Sequence, residues 1–184
     1  MPSYITDQEL AQVRTGLGQS ARSALLEAAS RRSPEGSTFL SHSTADAELL
    51  PAVVSILEEH GANVYLDKKD KSLPPYTSPA TALALRQRIA KCRKFVLFAT
   101  THSKESKWMP WELGIADGMR SGVNIAILPS VNNATDKEWT EREYLGVYDR
   151  IVRGRLQGHP AELWMVWNFR ENLARPLRDW LSAS

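Results

Sequence analysis

The sequence predicts an α/β fold in which a mostly parallel sheet carries helices on both faces. Three observations predict it. After residue 36, short apolar runs alternate with amphipathic helical stretches, the pattern of repeated strand–helix–strand units. Two of the runs, Phe95-Val96-Leu97-Phe98-Ala99 and Val123-Asn124-Ile125-Ala126-Ile127-Leu128, are apolar at nearly every position, as strands covered on both sides must be. The chain has 184 residues, the size of one such domain with a short appendage, so no second catalytic or sensor domain is expected.

Taken in order, the elements begin with a stretch from Asp7 to Arg32 whose apolar residues Leu10, Val13, Leu17, Ala21, Leu25 and Ala28 have helical spacing. Gly16 to Ala21 formally matches a dinucleotide fingerprint, but no strand precedes it, so the match is read as chance. Ser33-Pro34-Glu35-Gly36 breaks the helix. Residues 1–36 are therefore expected to form a helical extension and linker, and residues 37–184 the main domain.

In that domain Ser37-Thr38-Phe39-Leu40-Ser41 is the first strand, and Leu49, Leu50, Val53, Val54 and Leu57 mark one face of a helix stopped at Gly61. Val64-Tyr65-Leu66-Asp67 is the second strand. A loop with Pro74, Pro75 and Pro79 leads into a helix through Leu83, Leu85 and Ile89, and Phe95–Ala99 is the third strand. A helix from about Pro110 to Met119 precedes the fourth strand, Val123–Leu128. Beyond it, Tyr144 to Val152 and Leu163 to Val166 are β-like, while Leu173, Leu177, Trp180 and Leu181 suggest a closing helix limited at its start by Pro176. This order makes a doubly wound, flavodoxin-like sheet, in which ligands bind beyond the carboxyl ends of the strands.

Lys and Arg number 23 against 21 Asp and Glu, a formal net charge of +2, which forces no nucleic-acid partner. Cys92 is the single cysteine, so an internal disulfide framework and a thiolate zinc cage are excluded, in keeping with a reducing compartment. The N-terminus has no basic start followed by an apolar stretch, and no apolar run is long enough to span a bilayer. A soluble, cytoplasmic protein without membrane contact is expected. His60, His102 and His159 are scattered without ligand-like spacing, and no metal is expected.

Two strand-end loops are the places to look for chemistry. After the first strand comes Ser41-His42-Ser43-Thr44-Ala45-Asp46, where Ser43 and Asp46 have the spacing of a helix-capping box. Small hydroxyl residues and free amides there either cap the helix or hold a phosphate or ribose, and spacing favours the cap. Ser41 and His42 are no dyad, because neighbours on a strand face opposite ways. After the third strand the chain runs from Thr100 to Trp108-Met109-Pro110-Trp111-Glu112-Leu113. With Pro110 at the first helical position, Glu112 falls in the first turn, where free amides and the helix dipole favour its ionised form.

At these residues the chain resembles the TIR (Toll/interleukin-1 receptor) domain family, in particular its bacterial and plant NAD-cleaving members. Phe39-Leu40-Ser41-His42-Ser43-Thr44-Ala45-Asp46 resembles the family's first strand and loop, and Ser106 to Leu113 its Ser-x-Trp-Cys-x-x-Glu-Leu motif, with Met109 in place of Cys at a packing position. The resemblance puts Glu112 on the catalytic glutamate. It implies NAD as substrate, with no further cofactor, and a substrate site drawn from Phe39, Ser41, His42, Ser43, Asp67, Lys71, Ser106 and Trp108. Trp108 and Trp111 can offer an aromatic wall, although Trp108 is given a packing role as well. Val64 to Asp67 and the loop after it resemble the second strand and the family's BB loop. With Lys68, Lys69, Lys71 and Tyr76, that loop is equally well read as a pyrophosphate contact and as a solvated connection.

One carboxylate suffices for this chemistry, because nicotinamide is already a cationic leaving group and needs no general acid. The resemblance therefore implies an NAD glycohydrolase or cyclase that releases nicotinamide with ADP-ribose or a cyclic isomer. Small bacterial TIR proteins of this type resemble the TIR component of Thoeris-like phage-defence systems, which implies a signal for a separate effector and self-association through TIR surfaces. A non-enzymatic TIR adaptor and a nucleoside-deoxyribosyltransferase-like enzyme are the alternatives. Glu112 in its motif speaks against the first, and the first loop and tryptophan motif against the second.

Overall fold

A computed structural model describes residues 2–67, 79–119, 124–133 and 143–183. Its strands are β1 (Ile5–Thr6), β2 (Thr38–Ser41), β3 (Val64–Tyr65), β4 (Lys94–Ala99), β5 (Ile125–Val131), β6 (Asp149–Arg155), β7 (Glu162–Asn168) and β8 (Leu173–Pro176). Its helices are α1 (Asp7–Gly16), α2 (Gln19–Arg31), α3 (Leu50–Glu59), α4 (Pro79–Lys91), α5 (Trp108–Met119) and α6 (Leu177–Ser182). The sheet order is β3-β2-β4-β5-β6-β7-β8, with β1 beside β5. Pairings from β3 through β6 are parallel, and β6–β7 and β7–β8 are antiparallel. The chain leaves β2 towards β3 on one side and reaches β4 on the other. That reversal opens the crevice where a doubly wound sheet takes its ligands.

Strand alternation divides the interior in two. Leu40, Val96, Phe98, Ala126 and Leu128 face one core, closed by residues of α1, α2, α3 and α6. Phe39, Phe95, Leu97, Ala99, Ile125 and Ile127 face the other, closed by Leu85 and Ile89 of α4 and by Met109, Leu113 and Ala116 of α5. The expected α/β fold with helices on both faces is thus the observed one. Met109 is buried as a packing residue, and so is Cys92, whose thiol donates to Arg88 O at 3.3 Å.

The N-terminal segment departs from a single helix. Leu17 is extended (φ −81°, ψ 125°) and Gly18 is the N-cap of α2, so the two glycines that weaken a continuous helix mark a break between two. Gly16 is the last residue of a helix, where a dinucleotide loop would follow a strand. Thr6 begins α1 with a capping box closed by Glu9. Ahead of it β1 pairs in parallel with Ser130 and Val131 of β5, and Ser3 bridges Arg153 of β6.

Residues 2–36, expected as an extension and linker, pack on α3 and beside β5, with Ile5, Leu10 and Ala29 buried in the first core. In α3 every residue from Leu50 to Leu57 is buried, not one face alone. The inner side of α3 meets the sheet, while α1 and α2 cover it from outside.

Other boundaries also move. The strand expected at Val123–Leu128 is β5 and runs to Val131, Val123 lying outside the described residues. Glu143–Val147 is a short 3-10 helix, so the expected β character starts only at Asp149. Leu173 belongs to β8 and not to the closing helix, which starts after Pro176 as its N-cap. Proline lacks the amide that a helix interior requires.

Candidate active site

β2 ends at Ser41, whose side chain shares a sheet face with Phe39 because the two are two residues apart. α5 packs on that face and carries Glu112. Ser41 Oγ donates to Glu112 Oε2 at 2.5 Å, joining the carboxyl end of β2 to the helix that follows β4. Glu112 is only 2% exposed. Its expected place in the first helical turn is corrected: α5 begins at Trp108, so Pro110 is its third residue and Glu112 its fifth. Proline is tolerated in a first turn, whose amides lack partners in any case. Glu112 is therefore beyond the free amides, and the hydroxyl of Ser41 supplies the donor read earlier as backbone.

The other expected site residues fall into three groups. Ser41, His42 and Ser43 line the end of β2. His42 Nδ1 lies 3.1 Å from Leu40 O, and Ser43 is the N-cap of a 3-10 turn, accepting from the Ala45 amide at 3.3 Å. Ser106 accepts from the Met109 amide at 3.3 Å and so begins α5. Trp108 is half-buried against the second core and meets Trp111 edge to face, with centroids 5.5 Å apart. Trp111 is 40% exposed and is the ring of the pair that faces outward.

Phe39 is a packed residue of β2. It is 1% exposed and stacked on Phe95 at 5.4 Å, with Tyr65 5.8 Å away, on the same sheet face as Ser41. Asp67 accepts from Arg88 at 2.6 Å and from the Tyr65 hydroxyl at 3.0 Å, tying the end of β3 to α4. Burial and the Asp67 carboxylate hold the Tyr65 phenol well above its ordinary range, so it stays a donor. Lys71, with Lys68, Lys69 and Tyr76, lies outside the described residues.

Asp46 does not close a capping box with Ser43. Its carboxylate is buried and accepts from Thr100 Oγ1 at 3.0 and 2.9 Å, with His102 Nδ1 3.1 Å away. Burial holds this carboxyl above its ordinary value, while the Thr100 and His102 hydrogen bonds pull it down. The local spacing gave no sign of the contact, since its partners are 54 and 56 residues away. Among the described residues no group of three or more His, Cys, Asp and Glu is gathered that could hold a metal ion.

A family model for the TIR domain matches residues 38–160. The chain belongs to the TIR domain family. The match opens at the first residue of β2 and leaves β1, α1 and α2 outside it. The chain is also similar to a protein of Bacillus cereus (strain MSX-D12) named probable 3' cyclic ADP-D-ribose synthase ThsB'. The two are 34% identical over 145 residues, which cover 78% of this chain and 74% of the relative. In this TIR domain the Ser41–Glu112 pair stands at the strand-end crevice, and no described helix is long and apolar enough to cross a membrane.

Proposed function

We propose that this TIR domain cleaves the bond between nicotinamide and ribose in NAD and closes the remaining ADP-ribose into a cyclic isomer. The observation that carries the reading is the buried Glu112 carboxylate, hydrogen-bonded to Ser41 at the carboxyl ends of β2 and β4. The relative's name, a cyclic ADP-D-ribose synthase, supports the choice of product class.

The chemistry follows from that placement. When the glycosidic C–N bond breaks, its electron pair goes to the pyridinium nitrogen and nicotinamide leaves neutral, so no acid is needed. Positive charge develops on the ribose, and an ionised carboxylate fixed beside it stabilises the transition state more than the ground state. An oxygen or nitrogen of the same ADP-ribose then attacks the anomeric carbon. Where that nucleophile is a hydroxyl it loses a proton, and Glu112 is the base at hand. Exclusion of water decides between ring closure and hydrolysis. Ser41 keeps Glu112 in one rotamer, and Trp111 offers an outward ring beside it.

NAD is the substrate of this reading and not a resident cofactor. A cyclic product suits a diffusible signal in antiphage defence, read by a separate effector, and self-association through TIR surfaces is part of the same proposal.

The test is chromatography of NAD incubated with purified protein, alone and after concentration to favour self-association. Nicotinamide should appear with a cyclic ADP-ribose isomer, and Glu112→Gln, which keeps the volume and loses the charge, should lower kcat by about a thousandfold. Wild-type-like turnover in Glu112→Gln would remove Glu112 from the reaction. Absence of nicotinamide release under every condition would leave the adaptor reading in its place.

A further inference from the structure

A second buried carboxylate lies at the same sheet edge and has no part in the chemistry above. Asp46 is 2% exposed, and both of its oxygens are engaged by Thr100 and His102. Thr100 is itself fixed. Its amide donates to Ser103 Oγ at 2.8 Å, and its hydroxyl accepts from the His102 amide at 3.1 Å. The turn holding Asp46 already has its cap in Ser43, so Asp46 is not needed for it. Burying a carboxylate is unfavourable unless its partners compensate, and a solvated side chain would serve an exposed turn equally well.

What the arrangement achieves is visible in the two segments it joins. The ladder between β2 and β4 ends with Ser41 opposite Leu97. Past that pair, one segment runs from Ser41 to Asp46. The other runs from Thr100 through Ser106 directly into α5, which carries Glu112. Asp46 bridges them beyond the ladder, at the same carboxyl end of β2 and β4 as the Ser41–Glu112 pair but on the sheet face of Val96 and Phe98.

We propose that Asp46 is a positioning residue: by fastening the loop after β2 to the loop after β4, it holds Ser41 against Glu112 in the geometry that NAD cleavage requires. The role rests on the NAD-cleaving reading and acts through Ser41 and Glu112, without contact to substrate. A misplacement of about 1 Å at a reacting group is enough to cost about a hundredfold in rate.

The test combines steady-state kinetics with native-state amide exchange on the full chain. In Asp46→Asn, kcat should fall by about tenfold or more while KM changes by less than about threefold. Amides of segments 42–46 and 100–106 should exchange faster, and those of β4 and β5 should not. Thr100→Val should act in the same direction, and Thr100→Ser, which restores the hydroxyl, should recover most of the loss. Wild-type kcat in Asp46→Asn would overturn the proposal, as would unchanged exchange in the two segments. So would a fall in melting temperature matching the activity loss, with Thr100→Ser no better than Thr100→Val. If the wild type releases no nicotinamide, the NAD reading fails by itself. Exchange then decides alone, faster exchange in Asp46→Asn upholding the fastening and unchanged exchange overturning it.

Discussion

Glu112 and Asp46 are both carboxylates removed from water at one sheet edge, yet their surroundings differ. Glu112 accepts from Ser41, and Asp46 from a threonine with a histidine at its side. For Asp46 burial holds the carboxyl above its ordinary value against the pull of Thr100 and His102, and Asp7 of α1 adds like charge from the third element that faces it. The sign for stability follows by linkage. Between the ordinary value of 3.8 and the raised one, the folded chain keeps a proton that the unfolded chain has lost, so stability falls as pH rises through that window. Asp46→Asn removes this titration. Its melting temperature, relative to wild type, should therefore be most favourable at neutral pH, and the difference should shift against the variant as pH falls to about 4. Thermal melts across that range check it, and a shift in the opposite direction would contradict the assigned burial effect.

At the scale of elements, β4 and β5 were legible because both sheet faces are covered and their runs are apolar at nearly every position, whereas β2, with Thr38 and Ser41, was legible from its place in the strand–helix order. Glu112 was legible through its motif, but its partner was not. Ser41 lies 71 residues away, a distance that no local spacing encodes. Asp46 was misread because Ser-x-x-Asp satisfies a local rule that the tertiary contact overrides. The all-buried α3 was open to a better reading, since Leu50-Pro51-Ala52-Val53-Val54-Ser55-Ile56-Leu57 has almost no polar side and a helix apolar all round is covered all round.

The bridge of Ser3 to β6 rests on one glycine. A Cβ on Gly154 would meet Met165 Cε at 2.8 Å and the Pro2 backbone at 3.2 Å. Met165 Cε is the free end of a flexible side chain and can turn away, so the Pro2 backbone is what must give, and Gly154→Ala should loosen the N-terminal strand. Denaturant unfolding together with exchange at the Ser3 and Arg153 amides would show it, and a wild-type midpoint would refute the close approach.

For the molecule as a whole, the N-terminal segment is a covering layer anchored by the buried Ile5, Leu10 and Ala29. Arg14 pairs with Glu48 at 2.8 Å, Arg32 with Glu58 at 2.5 Å and Arg153 with Glu9 at 3.1 Å. Such partly exposed pairs contribute little individually, so apolar burial by Leu10 and Ala29 is the main attachment. Removal of residues 2–33 should uncover the outer side of α3, lower the melting temperature, raise binding of apolar dyes and promote self-association. A truncated chain with the wild-type melting temperature would show that α3 does not depend on this cover.

The pairing of β1 with β5 and of Ser3 with Arg153 also sets an order of events during synthesis. Ser3, Ile5 and Thr6 find their partners only once Ser130, Val131 and Arg153 have been made. Contacts so distant in sequence are slow to close, whereas α1 and α2 lie on α3, which follows them closely. β1 therefore docks late, acting as a latch on a sheet assembled from β2 onward. Until it docks, the chain is open to aggregation and to capture by chaperones.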